Sequence, residues 1–230
     1  MADQTQEIFS FHSFPVPLYQ IPWYLFGNRF FRKSRGLIHS ECLIPMLLGE
    51  SLFSWKRYRI QEVVVFALWN SEKDLNDFLE KHKQGQIKKG WHLRLRMYRR
   101  WGSISEFSLA RVIDRISKPD STTVAITLAR LKLKELFRFT KWGKPVETQV
   151  RNHPGKQKAF AAFRPPRHFL TFSVWDTEAD MIQMVQGKNP NRDGSEHKEA
   201  MEERSKKDFH FEFTTLRFEI VGGSGFVVHE

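Results

Sequence analysis

Glu62–Asp74 reads EVVVFALWNSEKD and, 106 residues further on, His168–Asp180 reads HFLTFSVWDTEAD. Aligned without a gap, the two share Phe66/Phe172, Trp69/Trp175, Glu72/Glu178 and Asp74/Asp180. Asn70/Asp176, Ser71/Thr177 and Leu75/Met181 are conservative pairs. Each copy is an apolar, β-rich run stopped by Trp, then a polar residue, then Ser/Thr-x-x-Asp. That ending is a capping box with Asp in place of Glu, so each copy predicts a strand leading into a helix N-terminus. Helical spacing follows, through Leu75, Phe78 and Leu79 in one copy and Met181, Met184 and Val185 in the other. The chain carries an internal duplication.

Working outward, Trp91–Trp101 alternates apolar Trp91, Leu93, Leu95 and Met97 with basic Arg94, Arg96 and Arg100. This is the period-2 signature of a strand with one basic face. Its partner is Phe209–Val221, where the apolar phase flips between Phe213 and Leu216, predicting a bulge near Thr214 and Thr215. Leu95-Arg96 then pairs with Leu216-Arg217. Glu7–Phe14 and Thr123–Leu131 read as first strands, each before a stretch of helical promise, Pro17–Lys33 and Lys132–Lys144. Second strands fall near Leu37–Leu48 and Lys156–Arg164. Each half is therefore β-α-β-β-α-β, the ferredoxin-like order. The fold class is α+β, two tandem ferredoxin-like halves packed as an intrachain dimeric α+β barrel, with halves Met1–Phe107 and Ser108–Glu230. Ser103–Ser121 reads as the linker. Asn189–Lys207 is an insertion of the second half only, a loop (NPNRDG) and then a helix (EHKEAMEERSKK).

With 230 residues, 40% hydrophobic and 27% charged, the chain is globular rather than disordered or fibrous. A net charge of +11 favours anionic partners without saying which. A single cysteine, Cys42, excludes an internal disulfide and fits a reducing compartment. The N-terminus lacks a basic run followed by an apolar one, so it is no signal peptide. Nothing approaches the roughly 20 apolar residues that span a bilayer. The expected location is cytoplasmic. The segment Pro15–Arg35 could hold the chain to the cytoplasmic face of a membrane, its aromatics running into Arg29, Arg32, Lys33 and Arg35. No G-x-S-x-G, H-E-x-x-H, G-x-x-x-x-G-K-[ST] or G-x-G-x-x-G occurs. GGSG at Gly222–Gly225 has no helix after it and reads as a turn.

The order of features resembles the spheroidene monooxygenase family, carotenoid ketolases of the dimeric α+β barrel superfamily. The resemblance covers nearly the whole chain and rests on FLTFSVWDTEADM, HKEAMEERSKKDF, LRFEIVGGSG and GSISEF before the second half's first strand. It departs at MLLGES, where the family runs into a glycine-rich turn and this chain keeps only Gly49. The resemblance implies an oxygen-dependent, haem-dependent monooxygenase acting on an acyclic carotenoid or similar apolar molecule, with molecular oxygen as co-substrate.

No C-x-x-C-H is present, so haem would be held by an axial side chain alone. Cys42 lies in an apolar strand and reads as a buried small residue. Neutral imidazole is the common axial donor. His197, on the insertion helix, stands about where related haem-binding barrels hold iron, which makes it the implied metal ligand. His168, opening the second half's third strand, and His12, sharing a face with Ile8, Ser10 and Phe14, come next. Arg217 and Arg96 are candidates for the propionates, because an Arg fork suits a carboxylate.

Three other readings stay open: a cofactor-free monooxygenase of the antibiotic-biosynthesis type, a non-catalytic barrel and an RNA-binding domain. The last is disfavoured, since KAFAAF at Lys158–Phe163 fails the RNP1 pattern at its glycine and at the next aromatic. The expected partner is an apolar small molecule, not nucleic acid.

Overall fold

The computed structural model describes residues 6–27, 34–51, 54–107, 110–113, 119–189, 192–193 and 196–226. Its strands are β1 (Ile8–Pro15), β2 (Leu37–Met46), β3 (Glu62–Trp69), β4 (Trp91–Ser103), β5 (Thr123–Leu131), β6 (Lys156–Arg164), β7 (His168–Trp175), β8 (Lys188–Asn189), β9 (Arg192–Asp193) and β10 (His210–Ser224). The helices are α1 (Glu72–Lys81), α2 (Leu136–Asn152), α3 (Glu178–Val185) and α4 (Glu196–Lys206).

Eight strands close into an antiparallel barrel in the order β1-β3-β2-β6-β7-β5-β10-β4. Within that circle β4-β1-β3-β2 and β10-β5-β7-β6 have one and the same order, each a ferredoxin-like sheet. The sheets join edge to edge. One seam is short, Ile44–Met46 of β2 against Ala161–Phe163 of β6. The other is long, β4 against β10 from Ser103/Phe213 to His92/Ser224. Closure leaves neither sheet with a bare edge. The boundary expected at Ser108 falls outside the described residues.

The duplicated segments fold alike. Ser71 and Thr177 cap α1 and α3, accepting from the backbone N–H of Asp74 at 3.2 Å and of Asp180 at 3.0 Å. A glycine sits over each cap. The Gly36 carbonyl accepts from Asn70 N–H and the Gly155 carbonyl from Asp176 N–H, both at 2.8 Å. A Cβ at Gly36 would lie 2.1 Å from Asp74 Cγ, and one at Gly155 would lie 2.4 Å from Asp180 Cγ. Only glycine admits this approach, and Gly36 also needs its positive φ of +72°.

Inward-facing side chains fill the barrel with phenylalanine. Phe11 meets Phe172 at 4.3 Å between ring centroids and Phe9 meets Phe66 at 5.2 Å, with Phe107, Phe160 and Phe218 around them. The lumen is a core and not a channel. Outward faces are covered by the helices and turns.

Three expectations shift. The flip in β10 is not at Thr214 and Thr215, which pair in register with both neighbours. The extra residues are Phe211 against β5 and Val221 against β4, while β4 contributes its own at Tyr98. Over Pro17–Lys33 a continuous helix is replaced by a 3-10 turn at Leu18–Gln20 and a π turn at Trp23–Gly27. Pro22 has no N–H to give the Leu18 carbonyl, so a helix begun after Pro17 cannot run through it, and Arg29, Phe30, Phe31, Arg32 and Lys33 lie outside the described residues. In the second half α2 runs past Lys144 to Asn152 with Pro145 inside it. Its last turns are held by Glu147 and Gln149, which reach neighbouring elements.

Candidate functional site

Because Ile8 pairs with Trp69 and Thr123 with Trp175, the two halves can be matched residue by residue through the sheet register. On the outward faces His12, Phe14 and Cys42 of the first half correspond to Thr127, Ala129 and Ala161 of the second. Large groups in one copy stand opposite small ones in the other. The first half packs solid, with Ile21, Leu25, Phe78 and Ile87 closing onto Phe14, Val63, Val65 and Trp69. The second half encloses a cavity of about 390 Å³ between its sheet and α2, α3 and α4. The cavity floor carries Ala125, Thr127, Ala129, Ala159, Ala161 and Thr171. Its roof includes Trp142, Val146, Val150, Met184, Ala200 and Met201. Size and apolar walls are those of a small-molecule site.

Besides Glu147, two imidazoles and one guanidinium break the apolar lining: His197 from α4, and His210 and Arg217 from β10. His197 is positioned from both sides. Its backbone N–H donates to Gln149 Oε1 at 3.1 Å, while Gln149 Nε2 donates to the Met184 carbonyl at 3.0 Å. Its ring donates to the Val185 carbonyl, and burial pulls its pKa below the usual range. A ring fixed by one N–H on a backbone carbonyl offers its other nitrogen as a lone pair, the arrangement that metal-ligating histidines use. The far end of α4 is tied down by Arg138, which donates to Glu203 Oε1 at 3.1 Å and to the Lys207 carbonyl at 2.9 Å.

Arg217 is buried and committed. Its Nη1 donates to Glu178 Oε1 at 3.1 Å and its guanidinium stacks over Trp101 at 4.4 Å. The first-half counterpart of this ion pair is Arg94 with Glu72, 2.8 Å apart. The bulges in β4 and β10 thus move the expected partner of Arg217 from Arg96 to Arg94. Arg96 pairs with Glu219 at 3.3 Å and does not line the cavity, because the outward face of its half is filled.

His168 is also elsewhere, facing into the barrel with Val174, Phe172 and Leu170. There Glu41 accepts from Arg130 and, at 2.7 Å, from Arg164. His39 lies 3.3 Å and His168 3.5 Å from its oxygens. Burial alone would raise the Glu41 pKa, but the hydrogen bonds from His168 and His39 and the charges of Arg130 and Arg164 hold it far below the carboxylate range. His39, Glu41 and Glu106 bring ligand atoms within 4.8 Å of one another, yet two guanidiniums already satisfy the carboxylates, so this is an ion-pair cluster. His12 belongs to the solid first-half core, 2.8 Å from Ser10 Oγ and stacked on His92. Cys42 is buried too, and burial pushes its thiol up to about 12, which keeps it protonated.

His210 carries no signal in the sequence beyond its place in an aromatic run. Its Nδ1 lies 3.0 Å from Asp208 Oδ1, which also accepts the His210 backbone N–H at 2.9 Å. Burial, with Arg204 adding to it, pushes the His210 pKa down to about 4, and burial beside His92 pushes His12 down to about 3. In both, the unfolded chain takes up a proton near pH 6.5, before the folded one does. Stability from these groups is therefore complete above pH 6.5 and is lost as pH falls toward 4 and then 3. The expected loss is about 1.4 kcal/mol per pH unit for each histidine. Urea unfolding between pH 7 and 4 checks it, and His12→Phe should flatten the slope.

No protein-family profile matches this chain, and no curated protein is significantly similar to it. Among solved structures, an aldoxime dehydratase in complex with butyraldoxime aligns over 95% of this chain and 80% of its own, with a TM-score of 0.55 and 8% identity. A protein described as a monooxygenase, from Fusobacterium nucleatum, aligns over 99% of both chains at 11% identity, with a TM-score of 0.41. A ferredoxin-fold protein related to antibiotic biosynthesis monooxygenases, from Listeria monocytogenes, aligns over 94% of this chain and 96% of its own at 12% identity, with a TM-score of 0.32. At these identities the likeness is one of fold.

Proposed function

We propose that the protein is a haem-dependent monooxygenase that oxidises an acyclic, carotenoid-like apolar molecule, with the second-half cavity holding haem and His197 as the residue that would bind its iron. The observation that carries this reading is the hollow itself: of two copies of one unit, the second encloses a cavity where the described residues of the first pack Phe14, Phe78 and Trp69, and it holds an imidazole whose ring meets the Val185 carbonyl. The donor set fits haem. A neutral nitrogen lines an apolar cavity, a buried cation stands on the sheet side, and the one thiol is buried away from it in the first half.

When bound, haem would supply the redox centre at which dioxygen is activated. One oxygen atom enters a C–H bond and the other leaves as water, using two electrons and two protons from an external reductant. The chain's own part would be to hold the iron through His197 of α4, to seat the macrocycle against the small residues of β5 and β6, and to exclude water with Trp142, Val146 and Met184. Arg217, whose Nη1 is held by Glu178, would give a propionate one of its remaining N–H groups at the sheet wall. Titrating the protein with haemin tests this reading: a Soret band should grow and saturate at one equivalent. A spectrum that remains the sum of protein and free haemin favours the cofactor-free reading.

An apolar substrate dissolved in lipid calls for a membrane contact. Ile21 and Leu25 pack inward, while Leu18, Tyr19, Trp23 and Phe26 of the same segment are exposed. No helix among the described residues is long and apolar enough to cross a membrane. An exposed aromatic edge on a chain of charge +11 suits the surface of an anionic bilayer. Co-sedimentation with anionic vesicles should exceed that with neutral ones and weaken at high salt. Equal, negligible binding to both would leave the segment as covering structure.

A further inference from the structure

We infer that His210, oriented by Asp208, is a ligand-binding residue that accepts a hydrogen bond from an O–H or N–H group of the ligand in the second-half cavity. The inference deepens the proposed function, resting on its reading of the cavity as the ligand site, but it does not need the haem.

The geometry leads there in three steps. His210 is 6% exposed and lines the cavity among Phe139, Phe209 and Phe213. Asp208 is held as a carboxylate by the His210 backbone N–H and by Arg204, whose Nη2 lies 3.4 Å from its Oδ2. A carboxylate only accepts, so the nitrogen facing it, Nδ1, carries the ring proton. In the neutral ring Nε2 is then the lone-pair nitrogen. Among the described residues Nε2 is buried and has no hydrogen-bond partner. Protein atoms cover Nε2 at the cavity edge, so a ligand's donor reaches it when a neighbouring ring swings aside, and doing so relieves the cost of a buried acceptor without a partner.

The complementary ligand has an apolar body and one hydroxyl-type donor. The ring meets that donor as a neutral acceptor, since a pKa near 4 makes it too weak a base to take the proton of a hydroxyl. The Asp208 carboxylate fixes its tautomer.

The test uses haem-free protein and two probes of nearly equal size, 1-naphthol and naphthalene, with binding measured by calorimetry. Wild type should bind 1-naphthol at least tenfold more tightly, and His210→Phe should lose that preference while still binding naphthalene. In parallel, ¹⁵N-histidine spectra of wild type should show His210 as the Nδ1–H tautomer, with an Nε2 signal that moves on adding 1-naphthol. A preference that survives in His210→Phe, or an Nε2–H tautomer in wild type, overturns the inference. The two readings fail separately. Haemin uptake without a naphthol preference removes this one alone, and the preference without haemin uptake removes the haem alone.

Discussion

Ala129→Phe is expected to abolish haemin uptake, weakening it at least a hundredfold, while the barrel stays folded and its thermal midpoint holds or rises. Ala129 occupies in β5 the position that Phe14 occupies in β1. The substitution therefore writes the first half's solid solution into the hollow half. Ala129 is buried at the cavity floor, so the new ring has room only in the space a ligand would use. Filling a cavity commonly adds about 0.5–2 kcal/mol of stability, so loss of binding would not come from unfolding. Undiminished uptake would move the ligand site out of this cavity.

A second large effect lies at the other end of the structural argument. Glu41→Ala should destabilise the fold by roughly 3–5 kcal/mol, because it takes one of two counter-charges from the buried Arg130 and strips the half-buried Arg164 of its ion pair. Arg130 is 4% exposed, and its Nε and Nη1 already lack partners among the described residues. Removing Glu41 leaves it Glu106, 3.2 Å away, as its one remaining carboxylate, and leaves Arg164 with none among the ion pairs of the described residues. Denaturant unfolding at pH 7 measures the cost, and a loss under 1 kcal/mol would mean that the cluster is solvated. Haemin uptake per folded molecule should be unchanged, since the cluster faces the lumen and the cavity lies outside the sheet.

Elements set by neighbouring residues were legible in the sequence. The strand–Trp–cap unit repeats as a local string, and Ser71 and Thr177 cap their helices as Ser/Thr-x-x-Asp implies. The strands β5 and β6 coincide to the residue with the ranges expected from their place in the repeat. What was not legible depends on register across strands. The hollow follows from Thr127 standing where His12 stands and Ala129 where Phe14 stands, a comparison that needs the first strands aligned through their partners. The pairing of Arg217 with Glu178, and of Arg94 rather than Arg96 with Glu72, depends on bulges that shift β4 against β10. His210 was hidden because its role comes from Asp208 folding back two residues away and from burial, neither of which marks the string. His197 was reached through family resemblance, and it lines the cavity.

The central claim is that His197 holds haem in that cavity, and the Soret spectrum of His197→Ala after haemin addition tests it most directly. The account predicts that the wild-type band disappears or shifts strongly in the variant, that far-ultraviolet circular dichroism is unchanged, and that added imidazole restores the band. A variant spectrum identical to wild type would contradict the assignment. It would pass the ligand's role to His210, the other histidine that lines the cavity, since His168 faces the lumen and His12 the filled half.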